Sequence, residues 1–203
     1  MFFLAGDVIA EHMDFRQQLF QYRSYTPIPF LVVMILFASP TILSITGGLL
    51  IVCAGELIRM WGVAIAGSET RTTGPVGGTY LITTGPFSYV RNPLYIGNIL
   101  MYFGAGVMAN TPLLALIALV YFFWQYSLIV SLEEEYLRKT FTEEFIEYCR
   151  TVPRFFPTMS RYTGGTHEQP VLDWKRGMIS EKRTLQAIAI LTLILFGFWL
   201  VRG

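Results

Sequence analysis

Charge and metal-ligating side chains are scarce in this chain of 203 residues. Only 14% of its residues are charged, against about a quarter in an ordinary soluble domain. That shortfall excludes a disordered polar tail and an ordinary water-soluble domain. There are two cysteines and two histidines. Cys53 lies in an apolar block and Cys149 in a charged one, so no disulfide framework is expected. His12 and His167 leave a Cys/His metal centre almost without ligands, and no metal is expected. A net charge of +1 gives no sign of nucleic-acid binding. Residues 1–27 begin apolar but carry Asp7, Glu11, Asp14, Arg16 and Arg23, the wrong charge order for a signal peptide. They read as an interfacial segment with a short amphipathic helix.

What is abundant is apolar sequence: 53% of residues are hydrophobic and 15% aromatic, gathered in blocks long enough to cross a bilayer. Ile28 to Ala66 is apolar apart from Glu56 and Arg59 and is broken at Ser39-Pro40, which predicts a helical hairpin with a short first arm and Pro40 at the start of the second. Residues 67–92 form a motif loop, rich in turn pairs such as Gly74-Pro75, Gly77-Gly78 and Gly85-Pro86. Helices over 93–109 and 112–132 follow, joined by the tight turn Asn110-Thr111-Pro112. An amphipathic segment covers 133–157. The remainder, 158–203, is a polar connector and a last apolar helix over 185–201. The fold class is all-α, a polytopic membrane protein with about five transmembrane helices.

Basic residues set the orientation. On the hairpin topology all of the 15 Lys and Arg except Arg59 and Arg202 fall on one side, and the positive-inside rule makes that side cytoplasmic. The lipid bilayer is the first partner.

Two polar clusters share this side. One runs from Thr83 to Gly97 and contains Arg91, Asn92 and Tyr95; the other is Glu133-Glu134-Glu135. The short turn at Asn110 makes the intervening helices antiparallel neighbours, which brings the clusters together. Glu135 can pair with Lys139 and Glu134 with Arg138 at i,i+4. However, Glu134, Leu137, Phe141, Phe145 and Tyr148 form one stripe, so Glu134 points to a buried face and needs a cation, Arg91 or a ligand. Glu56 and Arg59, three apart, read as a structural intramembrane pair. Gly47, Gly48 and Gly55 read as positions of close helix packing.

Thr84-Gly85-Pro86-Phe87-Ser88-Tyr89-Val90-Arg91-Asn92-Pro93-Leu94-Tyr95-Ile96-Gly97, followed by Glu133-Glu134 with Leu137, Phe141 and Tyr148, and then Val152-Pro153-Arg154-Phe155-Phe156-Pro157, resembles the isoprenylcysteine carboxyl methyltransferase family of integral membrane methyltransferases, in its prokaryotic form. The match covers about residues 41–157, in the family's order and spacing. The resemblance implies S-adenosylmethionine as cofactor, bound in a cytosolic segment at the helix ends and touching Thr79, Tyr80, Leu81, Ile82, Phe87, Asn92, Pro93, Leu94 and Tyr95. It also puts Glu133 at a substrate-site carboxylate. On physical grounds we add Arg91 or Arg154 as partners for the cofactor's carboxylate, and Glu133, Glu134 and Arg91 as the candidate catalytic set.

Two departures from the family pattern matter. Asn92 stands where the family usually has His and cannot carry a proton at neutral pH. Ile129 stands where eukaryotic prenylcysteine enzymes place an Arg for the substrate carboxylate. Thr142 replaces a frequent Gly at a helix kink. The expected function is methyl transfer from S-adenosylmethionine to a lipidated or otherwise apolar acceptor, by default the carboxylate of an isoprenylated cysteine. Phospholipid amine methylation, a nicotinamide-dependent sterol-type reductase and a noncatalytic scaffold or transporter are the alternatives.

Overall fold

The computed structural model describes residues 14–67, 80–165 and 169–202. Among them there is no strand, and the elements are α1 (Phe15–Tyr22), α2 (Pro27–Leu36), α3 (Ile42–Ala66), a 3-10 turn (Gly85–Ser88), α4 (Pro93–Met108), α5 (Pro112–Thr151) and α6 (Trp174–Arg202). Three helices, α3, α5 and α6, are long and apolar enough to cross a membrane; α2 and α4 are shorter apolar helices. The sequence expectation of about five spanning helices therefore holds for three by length. At about 1.5 Å per residue α2 covers roughly half of a hydrocarbon core about 30 Å thick.

Helix starts follow local chemistry. Pro27, Pro93 and Pro112 occupy first-turn positions, where a missing N–H costs nothing. Pro40 does not. It precedes Thr41, and Thr41 with Ser44 forms a reciprocal capping box that opens α3. The break before α3 lies against the α4–α5 turn: Ser39 donates its backbone N–H to the Ala109 carbonyl at 3.1 Å, and the Asn110 amide donates to the Ser39 carbonyl at 2.9 Å. The two hairpin turns thus share one end of the molecule.

Backbone proximity holds α3 against α4. A Cβ built on Gly55 would lie 2.6 Å from the Gly97 carbonyl oxygen, and one on Gly97 would lie 2.6 Å from the Gly55 carbonyl oxygen. Gly48 and Gly104 repeat the contact seven residues away on each helix. Close packing was expected of Gly47 as well, but Gly47 faces open space.

α5 continues through the expected boundary at 132 to Thr151, with a kink at Thr142 (φ 36°, ψ −111°). A β-branched residue with positive φ is strained by about 1–3 kcal/mol, and Thr142 is exposed. Thr142→Gly is therefore expected to raise stability by about 1 kcal/mol, read as an increase in Tm of the detergent-solubilised protein. An unchanged or lower Tm would show that the kink is unstrained.

Beyond α5 the chain doubles back along the motif loop. Pro153 accepts from the Arg91 N–H, and the N–H groups of Thr158 and Tyr162 donate to the carbonyls of Tyr89 and Ser88, each at 2.9 Å. Leu81, Phe145, Tyr148, Val152 and Tyr162 form a second small core beneath this crossing. α6 starts at Trp174, earlier than the expected 185. Asp173 donates its N–H to the Ala64 carbonyl, and Gly177 fits against Met60 and Ala64. In the segment expected to be interfacial, Arg16 of α1 reaches Ser131 and Glu135 on α5; residues 1–13 lie outside the described part. Cys53 and Cys149 are both free.

Candidate functional site

A cavity of about 880 Å³ opens among α1, α3, the 80–95 stretch, α4, α5 and the 181–187 part of α6. It gathers Tyr80, Leu81, Ile82, Phe87, Arg91, Asn92, Pro93, Leu94, Tyr95, Glu133 and Glu134, all expected at the site from the sequence. Thr79 lies outside the described residues. Arg154 is not on the cavity wall.

Glu133 and Glu134 are neighbours on α5 but face different partners. The Tyr95 hydroxyl donates to Glu133 Oε1 at 2.7 Å. Tyr95 lies one turn into α4, so this contact joins the motif helix to the glutamate pair. The Tyr95 ring packs on Tyr126 with centroids 4.6 Å apart, giving Glu133 an aromatic surround.

Glu134, 8% exposed, takes two arginines. Arg91 Nε donates to Oε1 at 3.0 Å, Arg154 Nε donates to the same oxygen at 3.2 Å, and Arg154 Nη2 closes on Oε2. Arg91 also caps the end of α5 through the carbonyls of Cys149 and Val152. The buried-face reading of Glu134 holds, and its cation is Arg91 joined by Arg154. Arg138 takes no part, and Glu135 pairs with Lys139 at 2.8 Å as its spacing predicts. The two arginines reserved for a cofactor carboxylate are thus engaged by Glu134. Glu134 and Arg91 are largely buried while Arg154 keeps 39% of its side chain exposed, and the fork geometry lets one carboxylate engage both guanidiniums without a ligand.

Two further contacts tie the motif stretch to later parts of the chain. Asn92 is not a free amide, because it donates to the Arg154 carbonyl at 3.2 Å and fastens the motif turn to the segment after α5. The stretch 80–82 is irregular in backbone. Gln169 holds it, donating to the Leu81 carbonyl at 3.0 Å while accepting the Thr83 N–H at 2.9 Å. Gln169 went unnoticed because its partners lie more than eighty positions away.

The deep end of the cavity is a polar cluster that sequence reasoning assigned only in part. Glu56 and Arg59 do pair, at 3.7 Å, but the stronger partner is Glu181 of α6, fully buried, whose two oxygens each accept from Arg59 Nη2 at 3.0 Å. Thr184 adds a hydrogen bond to Glu181 at 2.8 Å, and Asn98 accepts from Arg59 Nη1. The one signal available was Asn98, a lone amide inside an apolar helix. Ile129, the position of the missing arginine, is fully buried in the main core and does not reach the cavity. Among the described residues no three His, Cys, Asp or Glu side chains converge as a metal site would require.

The sequence profile of the phospholipid methyltransferase family matches residues 43–144, the stretch that supplies α3, α4, most of α5 and much of the cavity wall. The chain is 33% identical over 129 residues to the cobalt-zinc-cadmium resistance protein CzcN of Cupriavidus metallidurans, covering 63% of this chain and 55% of that one. It is 34% identical over 119 residues to the nickel-cobalt-cadmium resistance protein NccN of Alcaligenes xylosoxydans xylosoxydans, covering 58% and 52%. Protein-S-isoprenylcysteine O-methyltransferase B of Arabidopsis thaliana is 26% identical over 113 residues, covering 54% and 57%. The chain spans about half the length of the curated relatives it matches. No solved structure matches it. With its apolar helices, its ordered motifs and a profile match over half its length, the chain belongs to the phospholipid methyltransferase family of membrane proteins, as a member of the isoprenylcysteine carboxyl methyltransferase type.

Proposed function

We propose that this protein is a multi-pass, S-adenosylmethionine-dependent methyltransferase whose site opens at the cytoplasmic face and acts on a lipid-bearing acceptor. The observation that carries the reading is the single cavity that unites Asn92 and Tyr95 with Glu133 inside a wall of apolar and aromatic residues. Its volume lies within the range of about 300–1,000 Å³ common to small-molecule sites. Polar groups near Tyr80, Ile82 and Asn92 and the apolar faces of Phe87, Pro93 and Leu94 suit a molecule that is part nucleoside and part amino acid. When bound, S-adenosylmethionine supplies an electrophilic methyl group on a sulfonium centre.

The residues of the chain have correspondingly little acid–base work. In-line displacement depends on alignment and on removing water from the nucleophile, and the tyrosine-rich wall provides a surround of low dielectric. Asn92 holds one conformation of the motif turn but carries no proton. Tyr95 fixes the rotamer of Glu133, leaving the rest of that carboxylate to face the cavity.

For the acceptor, the plant relative's name and the cations Arg23 and Arg183 on the wall support a carboxylate. The pairing of Glu133 with Tyr95 favours an amine as the second reading, since an amine must lose a proton and Glu133 is placed to accept it. The metal-resistance relatives do not redirect this reading, because the described residues offer no donor set for direct coordination.

Saturable binding of labelled S-adenosylmethionine to the detergent-solubilised protein is expected, weakened about fivefold by Asn92→Ala, the equivalent of one lost hydrogen bond. Methyl transfer should then be followed into farnesylcysteine analogues and into phosphatidylethanolamine. Glu133→Gln is expected to slow transfer to an amine by at least about 100-fold and to a carboxylate far less. Folded protein that binds no S-adenosylmethionine would refute the assignment.

A further inference from the structure

A second concavity, of about 350 Å³, lies on the opposite face of α3 from the large cavity. Arg59, Val63 and Ala66 line the large cavity, whereas Trp61 and Ile65, four apart, line this one together with Thr84, Tyr89, Arg161 and Leu172. The 3-10 turn separates the two, with Phe87 toward the large cavity and Gly85 and Ser88 toward the smaller.

The lining of this pocket is one-sided in its chemistry. None of the described residues that line it is acidic. Arg161 is exposed and has no carboxylate partner among the described residues. The Thr84 hydroxyl is buried without a hydrogen-bond partner, which is costly for a polar atom unless something bonds to it. The Trp61 indole nitrogen lies beside Gly85, and the Tyr89 hydroxyl adds a further donor. Gln169, the remaining amide, is already spent on Leu81 and Thr83. A set of donors with one guanidinium that no described carboxylate compensates is complementary to an oxyanion that has several acceptor oxygens.

We infer that this pocket binds a phosphate group, and specifically the headgroup phosphate of an anionic phospholipid. Ile65, Pro170 and Leu172 give it an apolar floor that a free phosphate does not need and glycerol-linked chains would cover. It sits at the end of a membrane-crossing helix, where an indole marks the interface and basic side chains meet anionic lipid. The inference does not depend on the methyltransferase reading, because no residue of this pocket lines the large cavity.

The test is native mass spectrometry of the full chain, purified in detergent and offered an equal mixture of phosphatidylglycerol and phosphatidylcholine. The wild type is expected to retain phosphatidylglycerol in preference. Arg161→Gln should reduce that retention about fivefold, the equivalent of one arginine at an anionic surface. Thr84→Val with Tyr89→Phe should weaken it further, and Arg138→Gln, an exposed arginine elsewhere, should leave it unchanged. Displacement of the lipid by millimolar inorganic phosphate, abolished in Arg161→Gln, would uphold the phosphate chemistry, whereas retention of inorganic phosphate with no retention of phosphatidylglycerol would overturn the lipid assignment. Equal retention by wild type and Arg161→Gln, or no preference over phosphatidylcholine, would overturn the proposal.

Discussion

Gly97→Leu is expected to prevent α3 and α4 from closing and to leave little monodisperse protein after size-exclusion chromatography in detergent. Gly55 and Gly97 bring each other's carbonyl oxygen to 2.6 Å from where a Cβ would stand, closer than real Cβ contacts allow, and both opposing atoms are backbone that cannot swing aside. Overpacking a soluble core costs about 1–3 kcal/mol. Here the whole helix pair must separate, so the cost lies at or above the top of that range. The site would suffer with the fold, because α3 carries Arg59 and α4 carries its partner Asn98 as well as Tyr95. Gly47→Leu supplies the control: it adds the same side chain to α3 at a position facing open space, and wild-type behaviour is expected. If Gly97→Leu kept the wild-type elution profile and Tm, backbone contact would not set the spacing of the two helices.

Removing the carboxylate of Glu134 is the second large perturbation. Arg91, with 12% of its side chain exposed, and Arg154 would then face each other across a vacant position. Truncating one member of a fully buried ionic cluster costs about 3–5 kcal/mol, chiefly because the remaining charge is stranded; Arg154, with 39% of its side chain exposed, keeps part of its hydration, so the cost here lies at or below the lower end of that range. Glu134→Ala should lower Tm steeply. It should also free the end of α5 from the motif turn, since the same Arg91 holds the carbonyls of Cys149 and Val152. Glu134→Gln keeps one acceptor and should recover part of the loss. If both variants matched the wild type in Tm, the two arginines would have adequate alternative partners and Glu134 would not tie the three segments together. Cofactor binding by whatever folded Glu134→Gln is obtained separates this structural role from a catalytic one. A positioning residue weakens binding in step with stability, whereas a catalytic residue leaves binding intact and abolishes transfer.

These two sites also show how far the sequence could be read. The proximity of the motif turn to the glutamate pair followed from one short turn at Asn110, which forces adjacent helices to run antiparallel. The inward direction of Glu134 followed from helical periodicity. The glycines of α3 suggested close packing, but periodicity could not say that Gly48 and Gly55 meet α4 while Gly47 does not. Extending α5 to Thr151 was missed because a rise in charge at 133 looks like the end of a span, although a helix can leave the bilayer without ending. The kink residue was legible, since Thr142 stands where glycine is frequent in the family, and its positive φ is what that substitution implies.

By itself, the sequence determined the class of molecule: too little charge for a soluble domain, apolar blocks of membrane length, basic residues biased to one side, and motifs in the order of one methyltransferase family. It determined too that position 92 cannot titrate. Tertiary structure decided who partners whom. Arg59 and Glu181 are 122 positions apart, Glu134 had several candidate cations, and the arginines expected to wait for a ligand were taken by a glutamate. The reason is physical: helical periodicity is a short-range property of the chain and fixes only the direction of a side chain. The choice among competing charges depends on distance, burial and fork geometry, which exist only after the helices have packed.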